Sequence, residues 1–401
     1  MSSQTIRLPV ARPMLLLAGL LLIACVLRAP VTGVAPVLDL IQATYGLTRA
    51  QAGLLTTLPL VAFGVISPFA ALLARAYGLE RALFGALVLM VAGMGVRWAG
   101  PLWALYVGTA LIGAGIAVAN VLVPSLVKRD FPARVPTVTG MCALMMGAVA
   151  AGASAIAVPL ADAYGWRTAL GGFIVLPLLA LAIWRSQLGA HTAPAKGTAA
   201  MPHGGRIWHS AIAWQVTLYM GINSLLYYVL AGWLPVILTE QGFTAAEAGS
   251  MHGLMQLSCA LPGLVLGAVV SRMKNQVWIS AAMALVIGVS LLGFMYAPGW
   301  STVWAALFGA GSGSAIILSL MFMSLRVASV QQAAGLSGMA QGIGYLLAAC
   351  GPTLAGKAHD VAGNWHTVMI GGVVLAMVMA VFGALAGRAR QMPASLAPAR
   401  H

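Results

Sequence analysis

The chain has 401 residues, of which 61% are hydrophobic and only 7% are charged. A soluble protein of ordinary composition is about 25% charged, so these charges cannot cover a water-exposed surface and lipid must be the main solvent. The formal net charge of +14 does not indicate a nucleic-acid partner, because the basic residues lie in short loops between apolar runs and not on one domain.

Twelve apolar runs, each near the ~20 residues that cross a bilayer, predict an all-α membrane protein with twelve transmembrane helices. The predicted spans cover residues 13–42, 50–76, 81–98, 101–128, 136–161, 166–185, 209–239, 245–271, 276–297, 300–325, 333–357 and 365–388. An even number places both termini on one side. Most of the 21 lysines and arginines fall on that side. The positive-inside rule therefore makes it the cytoplasmic side of a bacterial inner membrane.

The first span carries Arg28 about halfway along, the one charge that we expect deep in the membrane, followed by Pro30, Gly33 and Pro36. An arginine at this depth costs ~3 kcal/mol and marks a function or a buried partner. The planar guanidinium suits a small anion. The alternative is a structural role, in which Arg28 pairs with carbonyls of the bent backbone or with Asp39.

One long polar stretch interrupts the apolar runs, from Ser186 to Trp208 between the sixth and seventh spans. We interpret it as a cytoplasmic linker between two six-helix bundles. The predicted division is an N-terminal bundle of residues 1–185, a linker of residues 186–208 and a C-terminal bundle of residues 209–401 with a short cytoplasmic tail.

The two halves repeat. GLTRAQAG, from Gly46, matches GFTAAEAG, from Gly242, and LIGAG, from Leu111, matches LFGAG, from Leu307; both offsets are 196 residues. Later matches, such as Asp162 with Asp360, follow in order. A repeat of six spans gives both halves the same orientation, so they are related by a parallel pseudo-twofold axis with a site between them.

That architecture places the first, fourth, seventh and tenth helices around a central cavity, by analogy with the fold. Besides Arg28, the polar residues inside the spans are the candidate substrate contacts: Asn120, Asn223, Tyr227, His252, Gln341 and Tyr345. Two pairs, Asn223 with Tyr227 and Gln341 with Tyr345, are four residues apart and share a helix face. Each of these residues could also serve helix packing, as interhelical hydrogen bonds commonly do.

The acidic residues all fall at or near span ends: Asp39, Glu80, Asp130, Asp162, Glu240, Glu247 and Asp360. Proton coupling through a buried carboxylate is therefore not expected, although protons could travel with the substrate or through His252. Lys128, Arg129 and Asp130 close the fourth span, where we predict a topology anchor and gate contact. The four cysteines lie inside apolar runs without metal-ligand spacing, and no cofactor or metal is expected.

Four stretches resemble the cyanate transporter and nitroimidazole transporter family of the major facilitator superfamily: LRAPVTGVAP (27–36), NVLVPSLVKRDFP (120–132), WLP (233–235) and MAQGIGY (339–345). The resemblance implies twelve helices and alternating access, and it supports Arg28, Asn120 and Gln341 as substrate contacts. The loop motif between the second and third helices departs from the superfamily pattern. LLARAYGLER offers no aspartate before Arg75, which leaves the usual gating salt bridge in question.

We therefore predict a secondary transporter, not an enzyme, that carries a small anion or a polar heteroaromatic solute and works as a monomer. Within the same class, the alternative is a proton-linked drug or metabolite exporter with a more apolar and promiscuous cavity. A membrane enzyme would need clustered His, Asp, Glu or Cys at membrane depth, which the spans lack. A receptor or scaffold role would leave the repeat unexplained.

Overall fold

The computed structural model describes residues 13–131, 134–188, 207–270, 272–327 and 330–392, and every element of regular secondary structure in these ranges is helical. Twelve segments follow one another: α1 (Pro13–Val26, Ala29–Thr32 and Leu38–Tyr45), α2 (Arg49–Tyr77), α3 (Leu79–Trp98), α4 (Leu102–Asp130), α5 (Val135–Tyr164), α6 (Trp166–Gly172 and Val175–Trp184), α7 (Ala211–Glu240), α8 (Ala245–Ala260 and Leu266–Val270), α9 (Val277–Tyr296), α10 (Ser301–Leu325), α11 (Val330–Ala362) and α12 (His366–Ala386). The predicted linker is described only at its ends, since residues 189–206 lie outside these ranges, as do Arg7 and Arg12.

Over the described residues, ten of the twelve segments are long and apolar enough to cross a membrane, and α8 and α11 fall short by this measure. The longest helix of α8 has 16 residues and ends at a 3-10 turn, Leu261–Leu264. Segment α11 contains Gln341, Lys357, His359 and Asp360 among its 33 residues. The two segments that fall short therefore are broken or carry polar side chains, which a membrane protein keeps away from lipid.

Segment α1 is not one bent helix as predicted but three helices joined by turns. Val34 N–H, which would bond to the carbonyl of Pro30 in a continuous helix, bonds to Val31 instead. Arg97 takes up the freed acceptor, because its Nη1 donates to the Pro30 carbonyl at 2.8 Å and its Nη2 to the Leu170 carbonyl at 3.4 Å. The Arg97 side chain is buried. Arg28 is therefore not the one buried arginine of the described residues, because Arg97, in the last turn of α3, holds the break in α1 together.

The repeated sequence produces the same local structure in both halves. Gly46 and Gly242 have φ of 65° and 97°, in the left-handed region that glycine reaches without a steric penalty. Thr48 then caps the start of α2, and Thr244 caps the start of α8. In both cases the threonine and the residue three positions later form a capping box.

A second pair of repeated glycines allows close helix contact at equivalent places. A Cβ on Gly113 of α4 would stand 2.6 Å from Pro59 Cα of α2, and one on Gly309 of α10 would stand 2.2 Å from the carbonyl oxygen of Met255 on α8. Positions 59 and 255 are separated by the same 196 residues as the glycines. The helices α2 and α4 thus pack in the register that α8 and α10 repeat.

The two bundles meet along two helix pairs, α2 with α11 and α5 with α8. Glycines bring both pairs close: a Cβ on Gly53 would lie 2.8 Å from the Pro352 carbonyl oxygen, and one on Gly253 would lie 2.7 Å from that of Ala151. We refer to the end where α6 finishes at Trp184 and α7 starts at Ala211 as the linker end, and to the other as the far end.

Charged side chains join the bundles at the far end. Arg49, at the start of α2, forms an ion pair with Glu240 at the end of α7 and lies 3.8 Å from Asp39 of its own bundle. Asp360 of α11 accepts hydrogen bonds from the backbone N–H groups of Arg49, at 3.3 Å, and of Ala50, at 3.0 Å. These contacts close the far end.

Candidate functional site

A cavity of about 890 Å³ lies between the bundles. On α2 its lining runs from Thr56, two turns inside the far end, to Leu72, near the end of the helix at Tyr77. The cavity therefore extends from mid-depth toward the linker end. Helices α1, α4, α7 and α10 line it as expected, and α2 and α11, which the analogy did not include, line it as well.

Arg28 lies at the turn between the first two helices of α1, so the break places its side chain in the cavity wall. Its Nη1 is 3.4 Å from the Tyr227 hydroxyl, and its guanidinium carbon is 5.9 Å from the centre of the Tyr227 ring. None of the ion pairs formed by the described residues includes Arg28. The predicted alternative partners are engaged elsewhere, since Asp39 faces Arg49 and the Pro30 carbonyl accepts from Arg97.

Aromatic rings surround this charge. Tyr227, Tyr228, Tyr345 and Phe63 all line the cavity. The rings of Tyr227 and Tyr228 lie 5.1 Å apart edge to face, and those of Phe63 and Tyr345 lie 6.0 Å apart. Electron-rich ring faces stabilise a cation where carboxylates are absent. Tyr228, which was not among the predicted contacts, belongs to this ring cluster.

Two of the predicted amides line the cavity. Asn120 of α4 is exposed to the cavity, and no hydrogen bond joins its side chain to another described residue. The Nε2 of Gln341 donates to Ser337 Oγ at 2.7 Å, which leaves the Gln341 carbonyl oxygen available. Gln341 and Tyr345 share the cavity face of α11, as their spacing predicted.

Two predicted contacts do not reach the cavity. Asn223 is buried against α10, where its Nδ2 donates to the Ser312 carbonyl at 3.2 Å, and its Oδ1 has no partner. His252 is fully buried, with Nδ1 hydrogen-bonded to Ser154 and Nε2 lying 3.2 Å from Gln256 Nε2. The spacing of four residues predicts that Asn223 shares the cavity face of Tyr227, but only Tyr227 lines the cavity. The substrate contacts predicted for Asn223 and His252 have no support in this geometry.

Gln256 is the cavity residue that the sequence reasoning missed. It lines the cavity, and its Oε1 accepts a hydrogen bond from the Tyr227 hydroxyl. A signal existed, because Gln256 follows His252 by four residues and so lies on the same helix face.

The basic end of α4 is tied to α3. Arg129 donates to Glu80 Oε1 and to Asp130 Oδ1, both at 2.7 Å, and the Glu80 side chain is buried. Burial lowers the pKa of Arg129, but the hydrogen bonds to Asp130 and Glu80 outweigh it and hold that pKa above its ordinary value. A salt bridge thus exists where the degraded loop motif gave no sign of one. It lies within the first bundle, and the side chain of Lys128 is outside the described ones.

Two six-helix bundles, repeated in parallel around a cavity whose wall includes Arg28, define a membrane transporter with internal repeats. The chain belongs to the Major Facilitator Superfamily, whose family model matches residues 20–349. It is a multi-pass membrane protein of that transporter family.

Its relatives narrow the class. The chain is 50% identical to the 2-nitroimidazole transporter of Escherichia coli (strain K12), over 94% of this chain and 96% of that one. It is 29% identical to the cyanate transport protein CynX of the same organism, over 87% and 91%. The fold is that of a bacterial homologue of the human lysosomal transporter Spinster, solved in an inward-facing and occupied conformation, with a TM-score of 0.73, 15% identity and coverage of 94% and 98%.

Proposed function

We propose that this chain carries a small planar solute with an anionic or nitro group, such as 2-nitroimidazole or cyanate, by alternating access, and that Arg28 binds that group. The observation that carries the proposal is the position of Arg28 in the cavity wall without a carboxylate partner among the described residues. A charge held in this way at membrane depth is normally retained for function.

The donors of Arg28 suit this class of solute. A guanidinium has five N–H groups in a planar fork, and its Nη1 contact with Tyr227 uses one of them. The remaining fork matches two oxygens in one plane, as in a nitro group or a carboxylate. A doubly charged phosphate would leave one charge unpaired here, so the lone arginine favours a singly charged or neutral polar solute.

The rings and amides suit a flat heterocycle. Tyr228, Tyr345 and Phe63 offer ring faces or edges on which an aromatic solute can stack. Asn120 and Gln341 provide amide groups for ring nitrogens. The high identity to a transporter named for 2-nitroimidazole supports this choice of ring.

The closed far end supports alternating access. In the described conformation the cavity reaches toward the linker end, while Arg49, Glu240 and Asp360 hold the bundles together at the far end. Rocking of the two bundles would break these contacts and expose the site on the other side. We infer that the linker and both termini face the cytoplasm of a bacterial inner membrane, because the predicted linker side carries most of the basic residues.

Several expectations remain proposals: the bundle boundaries at residues 1–185 and 209–401, action as a monomer, and transport without an enzymatic activity or cofactor. The repeat supports the monomer, because both halves of the site come from one chain.

The test is exchange of radiolabelled 2-nitroimidazole across liposomes that contain the purified protein, with wild type, Arg28→Gln and Arg167→Gln compared. Arg167 is an exposed arginine and serves as the matched control. We expect exchange by wild type and Arg167→Gln and loss of at least 90% of it in Arg28→Gln. Normal exchange by Arg28→Gln would refute the role of Arg28, and absence of exchange by wild type would refute the substrate.

One observation favours the exporter alternative, namely the size of the cavity and its many apolar side chains, among them Leu60, Met146, Ile316 and Leu320. A promiscuous exporter would have its 2-nitroimidazole exchange inhibited by unrelated lipophilic cations. The selective transporter proposed here would be inhibited by small anions and nitro compounds only.

A further inference from the structure

A chain of hydrogen-bonded side chains leads from Arg28 into the second bundle and back to the first. Arg28 of α1 contacts the Tyr227 hydroxyl, which donates to Gln256 Oε1. The Nε2 of Gln256 faces His252 Nε2, and His252 Nδ1 is bonded to Ser154 of α5. The chain crosses the bundle interface twice, at Arg28 with Tyr227 and at His252 with Ser154.

The direction of these hydrogen bonds follows from Arg28, which can only donate. The Tyr227 hydroxyl accepts a hydrogen bond from Arg28 and donates one to Gln256 Oε1. The Gln256 amide then donates its N–H to His252. A neutral His252 accepts that bond at Nε2, so we assign its proton to Nδ1, from which it donates to Ser154 Oγ. Each of these contacts then joins one donor to one acceptor when His252 is neutral.

The structure also provides for a protonated His252. Pro235 has no N–H, so the carbonyl of Ala231, four residues earlier in α7, lacks its helical donor. This carbonyl lies next to the His252 ring and is open to a donor. An imidazolium could therefore donate from Nδ1 to Ser154 and from Nε2 to Ala231, with both of its N–H groups satisfied.

Protonation would change the substrate site. With Nε2 carrying a proton, the N–H of Gln256 loses its acceptor, and the amide must turn so that its oxygen faces His252. Its N–H then points to Tyr227, which becomes an acceptor from both Gln256 and Arg28. The Tyr227 O–H no longer donates to Gln256 and can donate its hydrogen bond to a substrate oxygen in the cavity.

Geometry gives His252 access to both sides in turn. Its partner Ser154 belongs to the other bundle, so opening of the far end would separate the two and expose His252 there. In the described conformation its Nε2 faces Gln256, which lines the cavity. The proton would be taken from water at the far end, which turns the Gln256 amide, and returned from Nε2 to cavity water as that amide turns back.

The other ionisable groups near these hydrogen-bonded side chains do not provide a second proton carrier at this depth. Helix α10 contains no titratable residue, and α5 carries Asp162 two turns beyond Ser154, at the far end. Tyr228, Tyr345 and Cys259 surround Arg28, and these groups and Tyr227 are uncharged at neutral pH.

We propose that His252 is the coupling group of this transporter, binding one proton with each substrate molecule, and that Gln256 and Tyr227 transmit its protonation state to the substrate site. This inference rests on the proposed function. Proton and substrate then strengthen each other's binding, as linkage requires, and transport is symport.

The test separates exchange from accumulation in liposomes, with radiolabelled 2-nitroimidazole as the probe. Exchange is measured without a pH gradient. Accumulation is measured with the side to which the labelled solute is added one pH unit more acidic than the other. A one-unit gradient drives about tenfold accumulation for one proton per substrate molecule. Wild type and His209→Gln, the same change at an exposed histidine, should reach this ratio.

We expect His252→Gln and Gln256→Met to exchange at rates above empty liposomes and to end with equal concentrations on both sides. Tenfold accumulation of 2-nitroimidazole by His252→Gln would overturn the inference. Loss of exchange in both variants would also overturn it, because it would give these hydrogen-bonded side chains a structural role. Wild-type exchange without accumulation would also overturn it and leave the proposed function intact. Absence of wild-type exchange would overturn both.

Discussion

The contact of Asp360 with the start of α2 should control how often the far end opens. Its carboxylate accepts from the N–H groups of Arg49 and Ala50, two of the unpaired donors of a helix N-terminus. An exposed carboxylate at such a terminus contributes roughly 0.3–1 kcal/mol, and a hydrogen bond to a charged group adds to it. Because Asp360 is exposed, we expect Asp360→Asn to reduce the stability of the closed far end, relative to the open one, by about 1 kcal/mol. This change shifts the ratio of open to closed molecules about fivefold.

The shift can be measured as a distance distribution between spin labels on cysteines introduced at Ala43 of α1 and Ala246 of α8, in a variant lacking the four native cysteines. Both positions are exposed at the far end of opposite bundles. In Asp360→Asn the population at longer distance should grow about fivefold relative to the short one. Asp162, the repeat counterpart of Asp360, makes no hydrogen bond or ion pair with another described residue, so Asp162→Asn should leave the distribution unchanged. Identical distributions for Asp360→Asn and wild type would refute this role.

Two further predictions concern stability. Gly309→Ala places a Cβ 2.2 Å from a backbone oxygen of α8, which should lower the free energy of unfolding by ~1–3 kcal/mol and lower the thermal midpoint. Gly371→Ala, whose Cβ would have no atom within 4 Å, should leave the midpoint equal or higher. Equal midpoints for both variants would contradict the packing argument. Arg97→Met leaves the Pro30 carbonyl without its donor, which should cost ~1–3 kcal/mol and weaken substrate binding through the displaced Arg28, as measured by melting and ligand titration. An unchanged melting point would show that the break in α1 does not depend on Arg97.

The sequence was informative wherever a signal is local. The capping boxes at Thr48 and Thr244 depend on residues three positions apart, so the repeat could be found by reading along the chain. Arg28 was conspicuous because a charge inside an apolar run has few explanations. The i, i+4 pair of Gln341 and Tyr345 needed only the helical period to place both on one face.

The failures concern contacts between distant segments. Arg97 lies one residue before the end of α3 and reads as a topology anchor, and only its contact with Pro30, 67 residues away, shows it is internal. Glu80 and Arg129 are likewise joined only by the packing of α3 on α4. The spacing of four residues places Asn223 on the face of Tyr227, and only the hydrogen bond from Asn223 to Ser312 shows that this side chain turns toward α10. Gln256 was passed over because its partner Tyr227 is on another helix.

The central claim, that Arg28 binds the substrate in the cavity, is tested most directly by ligand titration of the purified protein, with thermal stabilisation as the readout. 2-Nitroimidazole and cyanate would be titrated into wild type, Arg28→Gln and Arg167→Gln, since a ligand that binds the native state raises its apparent stability. Loss of a hydrogen bond to a charged group costs ~1.5–3 kcal/mol, so we predict that Arg28→Gln binds roughly 10- to 150-fold more weakly, while Arg167→Gln matches wild type. Equal affinity of Arg28→Gln and wild type for both ligands would contradict the account.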